Sequence, residues 1–261
     1  MTSTDSVRPS ATVSPSELVE AIEGQAAKLA RMISAQLEHV LLLGITRFAR
    51  DGDGSSFDGV AQHWSEFIEA EVVPQIAATY ELGAVLTVTA ATEPFPGEFS
   101  EGAYEWARAA SRRLQDMGRD AQSQMYWLVA QAIEEGLTPA ELAAKLQHQI
   151  GMTEGQAGTV ARTELMSAFT NGDRAWADAL PTRRRPSEHS WVAVMDEATR
   201  PDHAEAHNQT VPFRVPFSVG GAYMLHPHVP GAPAEQVVNC RCVEVMLWPG
   251  DTRPDGSVVG G

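Results

Sequence analysis

Apolar residues recur at spacings of three, four and seven along the first part of the chain. Leu18, Ile22, Leu29, Ile33, Leu37 and Val40 fall on one face of a 3.6-residue period and predict a long amphipathic helix. Its start is marked by Ser14, which can accept hydrogen bonds from the first free amides, by Pro15 at the first helical position, and by Glu17 reaching back to complete a capping box. A second helical stretch begins near Phe57 and carries Val60, Trp64, Phe67, Ile68 and Val72, with Pro74 expected to kink or break it. A third long helix or helix pair runs from Ser100 to Gly136, a C-cap glycine. Thr138, Pro139 and Glu141 repeat the start signal, and "EGQAGTVARTELMSAFTNGDRAWADAL" predicts a further helix. Trp106, Met125, Trp127, Leu142 and Leu146 stand at helical spacing and are assigned to the core. Two breaker-rich loops, "DGDGSSFDG" and "AATEPFPGEF", separate these stretches. The first has the acidic and glycine content of a calcium loop, but Gln62 stands where the bidentate glutamate is needed.

After Pro186 the period changes. "SWVAVMD" is a run of β-forming residues, and "TVPFRVPFSVGG" alternates loosely around two prolines that confine it to an edge or loop. "VVNCRCVEVMLW" is the best strand of the chain. The pattern predicts an α+β fold: a flexible tail over 1–13, a helical region over 14–136, and a domain over 137–261 with helices to about 180 followed by a small β-containing unit.

Composition narrows the functional classes. The longest apolar run, "HVLLLGI", is far short of the ~20 residues of a bilayer crossing, and "MTSTDSVRPS" lacks the regions of a secretory signal, so a cytosolic product is expected. A formal net charge of −15 opposes long-range attraction to nucleic acid or to an anionic membrane, leaving only local contact with DNA. The densest basic run, Arg183 to Arg185 between prolines, reads as an exposed hinge with solvated arginines.

Chemistry-bearing residues concentrate in the C-terminal part. On a strand Cys240 and Cys242 would share one face, too far apart for an unstrained disulfide without a bend. Two thiolates and two imidazoles suit zinc, and the imidazoles on offer are His203, His207, His226 and His228. Only His203 and His207, four residues apart, approach a familiar ligand spacing, so Cys240, Cys242, His203 and His207 are the metal candidates. Two small thiols packed in a core, with no cofactor, are the reading preferred over zinc. "MDEATRPDH" places Asp196, Glu197, Arg200, Asp202 and His203 at the end of a strand. This is either an acid, base and anion site of a nuclease or phosphotransferase, or a turn in which Arg200 ties carboxylates together. Neither a nucleophile nor a phosphate cradle accompanies it. Arg162 and Glu164 are two apart on a helix and do not face each other, so each is expected to tie the helix to the β unit.

Taken in order, "EEGLTPAELAAKL", "ARTELMSAFTNGDRAWA", "WVAVMDEATRPDHAEAHNQTV" and "HPHVPGAPAEQVVNCRCVEV" resemble the phage Mu F-like head morphogenesis family over roughly residues 130 to 246. The resemblance implies a non-enzymatic minor capsid protein of a tailed bacteriophage. It implies association with the portal protein and with major capsid or scaffolding protein, in several copies per virion. The location implied is the capsid interior near the portal, after assembly in the host cytoplasm, with roles in DNA packaging or ejection. The family's characteristic residues fall on Arg162, Thr163, Glu164, Asn171, Asp196, Arg200, Asp202, His203, Asn239, Cys240, Arg241 and Cys242. The chain departs from the family pattern at Ala198, where an arginine often stands, and in the extra histidines His207 and His228. An enzyme acting on nucleic acid or a nucleotide through Asp196, Arg200 and His203 is the competing reading. The cysteine strand is expected to form a seam beneath the helix carrying Arg162, with Arg241 contacting a carboxylate such as Asp196 or Glu164.

Overall fold

The computed structural model describes residues 14–51, 54–88, 97–138, 141 and 153–260; the N-terminal tail, most of the "AATEPFPGEF" loop and the body of the helix announced by Thr138 lie outside them. The fold is α+β. Long helices α1 (Pro15–Asp51), α2 (Val60–Phe67), α3 (Val73–Val88), α4 (Gly97–Glu135) and α5 (Glu154–Ala179) precede a C-terminal part built of short elements. These are β1 (Glu188–Val192), α6 (Pro201–Ala206), β2 (Thr210–Pro212), β3 (Phe217–Val219), β4 (Ala222–Met224), α7 (Ala234–Val237) and β5 (Val243–Leu247). No helix among the described residues is long and apolar enough to cross a membrane.

The start signals act as capping boxes. Ser14 N–H and Oγ both donate to the Glu17 carboxylate, while Glu17 N–H donates to Ser14 Oγ at 3.3 Å. Thr138 and Glu141 make the same reciprocal pair, and Thr153 with Gln156 makes a third that starts α5. Gly136, at φ 70°, closes α4 with Leu137 N–H donating to the Ala132 carbonyl at 2.9 Å, the 6→1 bond of a Schellman motif. Pro74 neither breaks nor ends its helix. The turn before it, Ile68–Val72, widens so that Val73 N–H reaches the Ile68 carbonyl, and the helix absorbs the proline as a π-bulge.

The chain groups into two compact units, neither a single stretch of sequence. One comprises Gln25–Ile76 and Tyr104–Ala161. Its core is lined by Leu29, Ile33, Trp64, Ile68, Leu114 and Met125, all essentially sealed from solvent. Trp64 donates its indole N–H to the Leu114 carbonyl and lies over Gly118, where an added Cβ would sit 2.3 Å from the indole ring. Trp127 is 58% exposed, which corrects its assignment to the core: the buried stripe of α4 runs through Leu114, Ala121, Met125, Leu128 and Ala132, and Trp127 falls outside it.

The other unit comprises Met1–Gly24, Ala77–Ala103 and Arg162–Gly261. Within it α3 and α5 touch backbone to backbone. A Cβ at Gly172 would lie 1.9 Å from the Tyr80 carbonyl oxygen, and one at Gly83 would lie 2.1 Å from that of Phe169. The β elements form an antiparallel sheet in the order β2-β1-β5, with β3-β4 as a separate hairpin. Met246 on β5 packs with Phe213 against Ala177 of α5, which seats the sheet on that helix. The basic run is a single turn, Thr182–Arg184, followed by Arg185. Arg185 is not freely solvated: its guanidinium donates to the Leu180 carbonyl at 2.8 Å and the Asp178 carbonyl at 2.6 Å, closing the C-terminal end of α5 where a cation is favoured.

Candidate functional site

The strand expected over the cysteines starts later than the sequence pattern suggests. Pro233 leads into the single turn α7, Asn239 adopts a left-handed conformation at φ 59°, and pairing begins only at Val243, so both cysteines precede β5. Asparagine tolerates this conformation because its short polar side chain bonds locally. Here Asn239 bonds to the neighbouring helix: its N–H donates to Thr163 Oγ1 at 2.9 Å and its Oδ1 accepts from the Arg162 guanidinium. Arg162 also pairs with Glu23 at 3.3 Å. Asn171, two turns further along α5, donates to the Ser167 carbonyl at 2.8 Å and to the His228 carbonyl at 3.3 Å, and so fixes the 225–229 loop to the helix. Glu164 is buried at 3% exposure.

The residues of "MDEATRPDH" separate rather than converge. Asp196 receives both Arg241 amino groups, at 2.6 and 2.5 Å, together with the Ala198 N–H at 3.0 Å. The Arg241 hydrogen bonds are the main cause that lowers the Asp196 carboxyl to about 2. Arg200 donates to the Val238 carbonyl, and Glu197 is exposed. α6 opens with Pro201 at its first position, which turns His203 inward at 2% exposure while Asp202 stays at the margin. Asp196 and His203 therefore do not share a cleft. The cavity beside Arg200, His203, Cys240 and Cys242 measures about 20 Å³, room for a water rather than a phosphate.

His203 joins the two cysteines. Its Nδ1 lies 3.2 Å from Cys242 Sγ and 3.5 Å from Cys240 Sγ, and its Nε2 bonds Gln236 Oε1 at 2.8 Å. Gln236 in turn donates to Asp202 Oδ2 at 3.3 Å. Both thiols are free, and they pack with Trp191, Ala206, Phe217 and Met224. That cluster belongs to the β-containing part itself, which corrects the expectation that the thiols lie beneath the helix of Arg162: contact with α5 is made by Asn239, one residue before them. The Cys242 thiol and the nearby His228 and His203 together pull Cys240 well below the usual thiol range against the effect of burial. The same bond to Cys240, with burial, pushes Cys242 up. Burial opposes a charged His203, but Cys240 and Gln236 outweigh it and raise the imidazole above its ordinary value.

His207 is not part of this group. Its Nδ1 accepts the Ala193 N–H at 3.1 Å, a bond that ties the residue after α6 to the one after β1. A further imidazole, His228, stands beside Cys240 but outside the group of three donor atoms. It is 2% exposed, and apart from the Cys240 sulfur its ring nitrogens have no hydrogen-bond partner among the described residues.

A second buried polar group escaped the sequence reading. Arg174 on α5 donates to Glu244 of β5 at 3.0 Å, to the Phe213 carbonyl at 3.0 Å and to Asp178 at 3.2 Å, with its guanidinium carbon 4.0 Å from the Phe213 ring centre. Glu244 also meets His189, whose Nε2 donates to the Val215 carbonyl at 2.9 Å. Burial and the Glu244 charge push the adjacent Asp173 carboxyl well up, with Arg174 acting against them. Partners seventy residues apart leave no local spacing to read. The available signal is a glutamate within an otherwise apolar β5, at a position a core strand gives to a hydrophobe.

Residues 123–245, just under half of the chain, match the model of the family described as Phage Mu protein F like protein. No curated protein and no solved structure matches.

Proposed function

We propose, because residues 123–245 match the family described as Phage Mu protein F like protein, that the chain is a minor head protein of a tailed bacteriophage that works by protein contacts during capsid assembly. The observation that supports this most is where the polar residues of the family segment go. Arg162 with Asn239, Asn239 with Thr163, Asn171 with the His228 carbonyl, and Arg241 with Asp196 are all bonded within the unit. Side chains engaged in this way hold a shape and leave no convergent acid and base for a substrate. A chain of net charge −15 is repelled by packaged DNA, which favours retention in the head by protein partners. In this reading the partners are the portal protein and major capsid or scaffolding protein, with several copies on the inner side of the head near the portal, assembled in the host cytoplasm. A part in packaging or ejection follows from that position.

Co-expression with the portal protein encoded in the same genome, followed by affinity capture of the portal and size-exclusion chromatography, tests the reading. Co-elution in one peak that persists at 0.5 M salt is expected of about the strength of an apolar interface. A portal that elutes alone at every salt concentration, while the chain remains folded, would overturn the portal contact.

A further inference from the structure

We propose that Cys240, Cys242, His203 and His228 form a zinc site. The proposal stands independently of the head-assembly reading. The three donor atoms of His203, Cys240 and Cys242 all lie within 4.8 Å of one another, and all three residues are buried. Zinc bound tetrahedrally at about 2.3 Å to sulfur and about 2.0 Å to nitrogen sets a sulfur–nitrogen edge of about 3.5 Å. His203 Nδ1 stands 3.5 and 3.2 Å from the two sulfurs. Little movement is needed for these atoms to face a common centre.

The surroundings arrange the donors for a metal. Gln236 Nε2 donates to Asp202, so its Oε1 is the atom turned to His203, and an oxygen acceptor there puts the imidazole proton on Nε2. Nδ1 is then the nitrogen whose lone pair a metal uses. This is the outer-shell bond that fixes ring orientation at metal-bound histidines. Gly220 packs against the same pair, because a Cβ there would stand 2.3 Å from Asp202 Oδ2 and 2.5 Å from Gln236 Nε2. Cys240 Sγ accepts the Cys242 N–H at 3.3 Å, a bond that favours a thiolate.

The independent observation is His228. A buried imidazole whose nitrogens find no partner but the Cys240 sulfur is costly in a folded protein unless something else occupies one of them. The left-handed backbone at φ 61° and the Asn171 bond to its carbonyl fix its loop; its ring stands outside the group of three and completes the tetrahedron as the fourth ligand by turning toward the metal. Two thiolates and two imidazoles are the donor set of a closed structural zinc centre. Binding displaces the protons still carried by the donor atoms, the Cys242 proton among them, and ties α6, the 225–229 loop and the segment before β5 at one point.

The test uses the full chain expressed with zinc in the medium and passed through gel filtration. Metal analysis is expected to give about one zinc per chain, and replacement by Co²⁺ to give thiolate charge-transfer absorption with the strong visible bands of tetrahedral cobalt. Thiol-reagent labelling, slow in the loaded protein, is expected to reach both cysteines after chelation. Gln236→Ala, which leaves all four donors in place, is expected to weaken zinc about 10–100-fold, and His207→Ala to leave it unchanged. Folded parent protein that holds under about a tenth of an equivalent of zinc after supplementation, and shows no cobalt charge-transfer band, overturns the site. His228→Ala that holds zinc as tightly as the parent overturns the four-ligand set.

Discussion

Replacing Arg174 by alanine isolates the buried network that locks β5 to α5. The side chain is 8% exposed and Glu244 is 0% exposed, so the pair lies out of water on both sides. In Arg174→Ala, Glu244 keeps His189 but loses the guanidinium, and the Phe213 carbonyl and ring lose their partner as well. Removing one member of a buried ion pair costs about 3–5 kcal/mol, because the other charge stays buried. For a unit of this size each kcal/mol moves Tm by about 2–4 °C, which predicts a fall of roughly 6–20 °C. The assay is thermal unfolding at pH 7 followed by near-UV circular dichroism. Arg174→Lys should fall between parent and alanine, since it keeps the charge and loses the fork that reaches Glu244 and Phe213 together. Arg174→Met with Glu244→Leu should lose less than Arg174→Ala alone, because no charge is stranded. An alanine variant within about 0.5 kcal/mol of the parent would show that water reaches Glu244 and that the pair is not sealed.

Other perturbations test separate links. Gly172→Ala drives a Cβ into the Tyr80 backbone and should cost about 3 kcal/mol, the upper end for overpacking, whereas an alanine within about 1 kcal/mol of the parent would contradict the close approach of α3 and α5. Asp196 ionises at about 2 in the fold, below its ordinary 3.8, so its bridge to Arg241 adds stability that is full above about pH 4 and is lost as pH falls toward 2. The Tm gap between parent and Asp196→Asn should therefore close over that range, and a gap that is constant from pH 7 to pH 2 would count against the bridge. Because Asp196 is 42% exposed, added salt should narrow the same gap at pH 7 and leave the Arg174→Ala effect largely intact.

Much of the helical part is legible in the sequence because its signals are local. Ser14 with Glu17 and Thr138 with Glu141 are three apart, and their capping bonds form as that spacing requires. The Thr153 and Gln156 box is of the same kind but has glutamine in place of glutamate, and it passed unread. Pro74 shows a local rule overridden by its surroundings: the buried residues Ile68, Val72 and Ile76 keep the helix continuous, and a widened turn accommodates the ring. The β-containing part is less legible. Cys240 and Cys242 alternate as a strand would, yet Asn239 at positive φ and the turn before it delay pairing to Val243. His203 and His207 have the spacing of ligands, but α6 ends before His207 and leaves it bonded to Ala193. His228, with no spacing to recommend it, comes to lie beside Cys240 with its loop held by Asn171 on a distant helix. Those placements depend on contacts between residues far apart in the chain, and no short window of sequence contains them.

The claim on which the account rests is that the family segment serves as a folded component of a phage head. Quantitative mass spectrometry of heads purified from a producing culture measures this directly. The chain is expected at a fixed ratio to the portal protein in every preparation. Heads that assemble and fill while carrying no trace of it would rule out a structural role in the head.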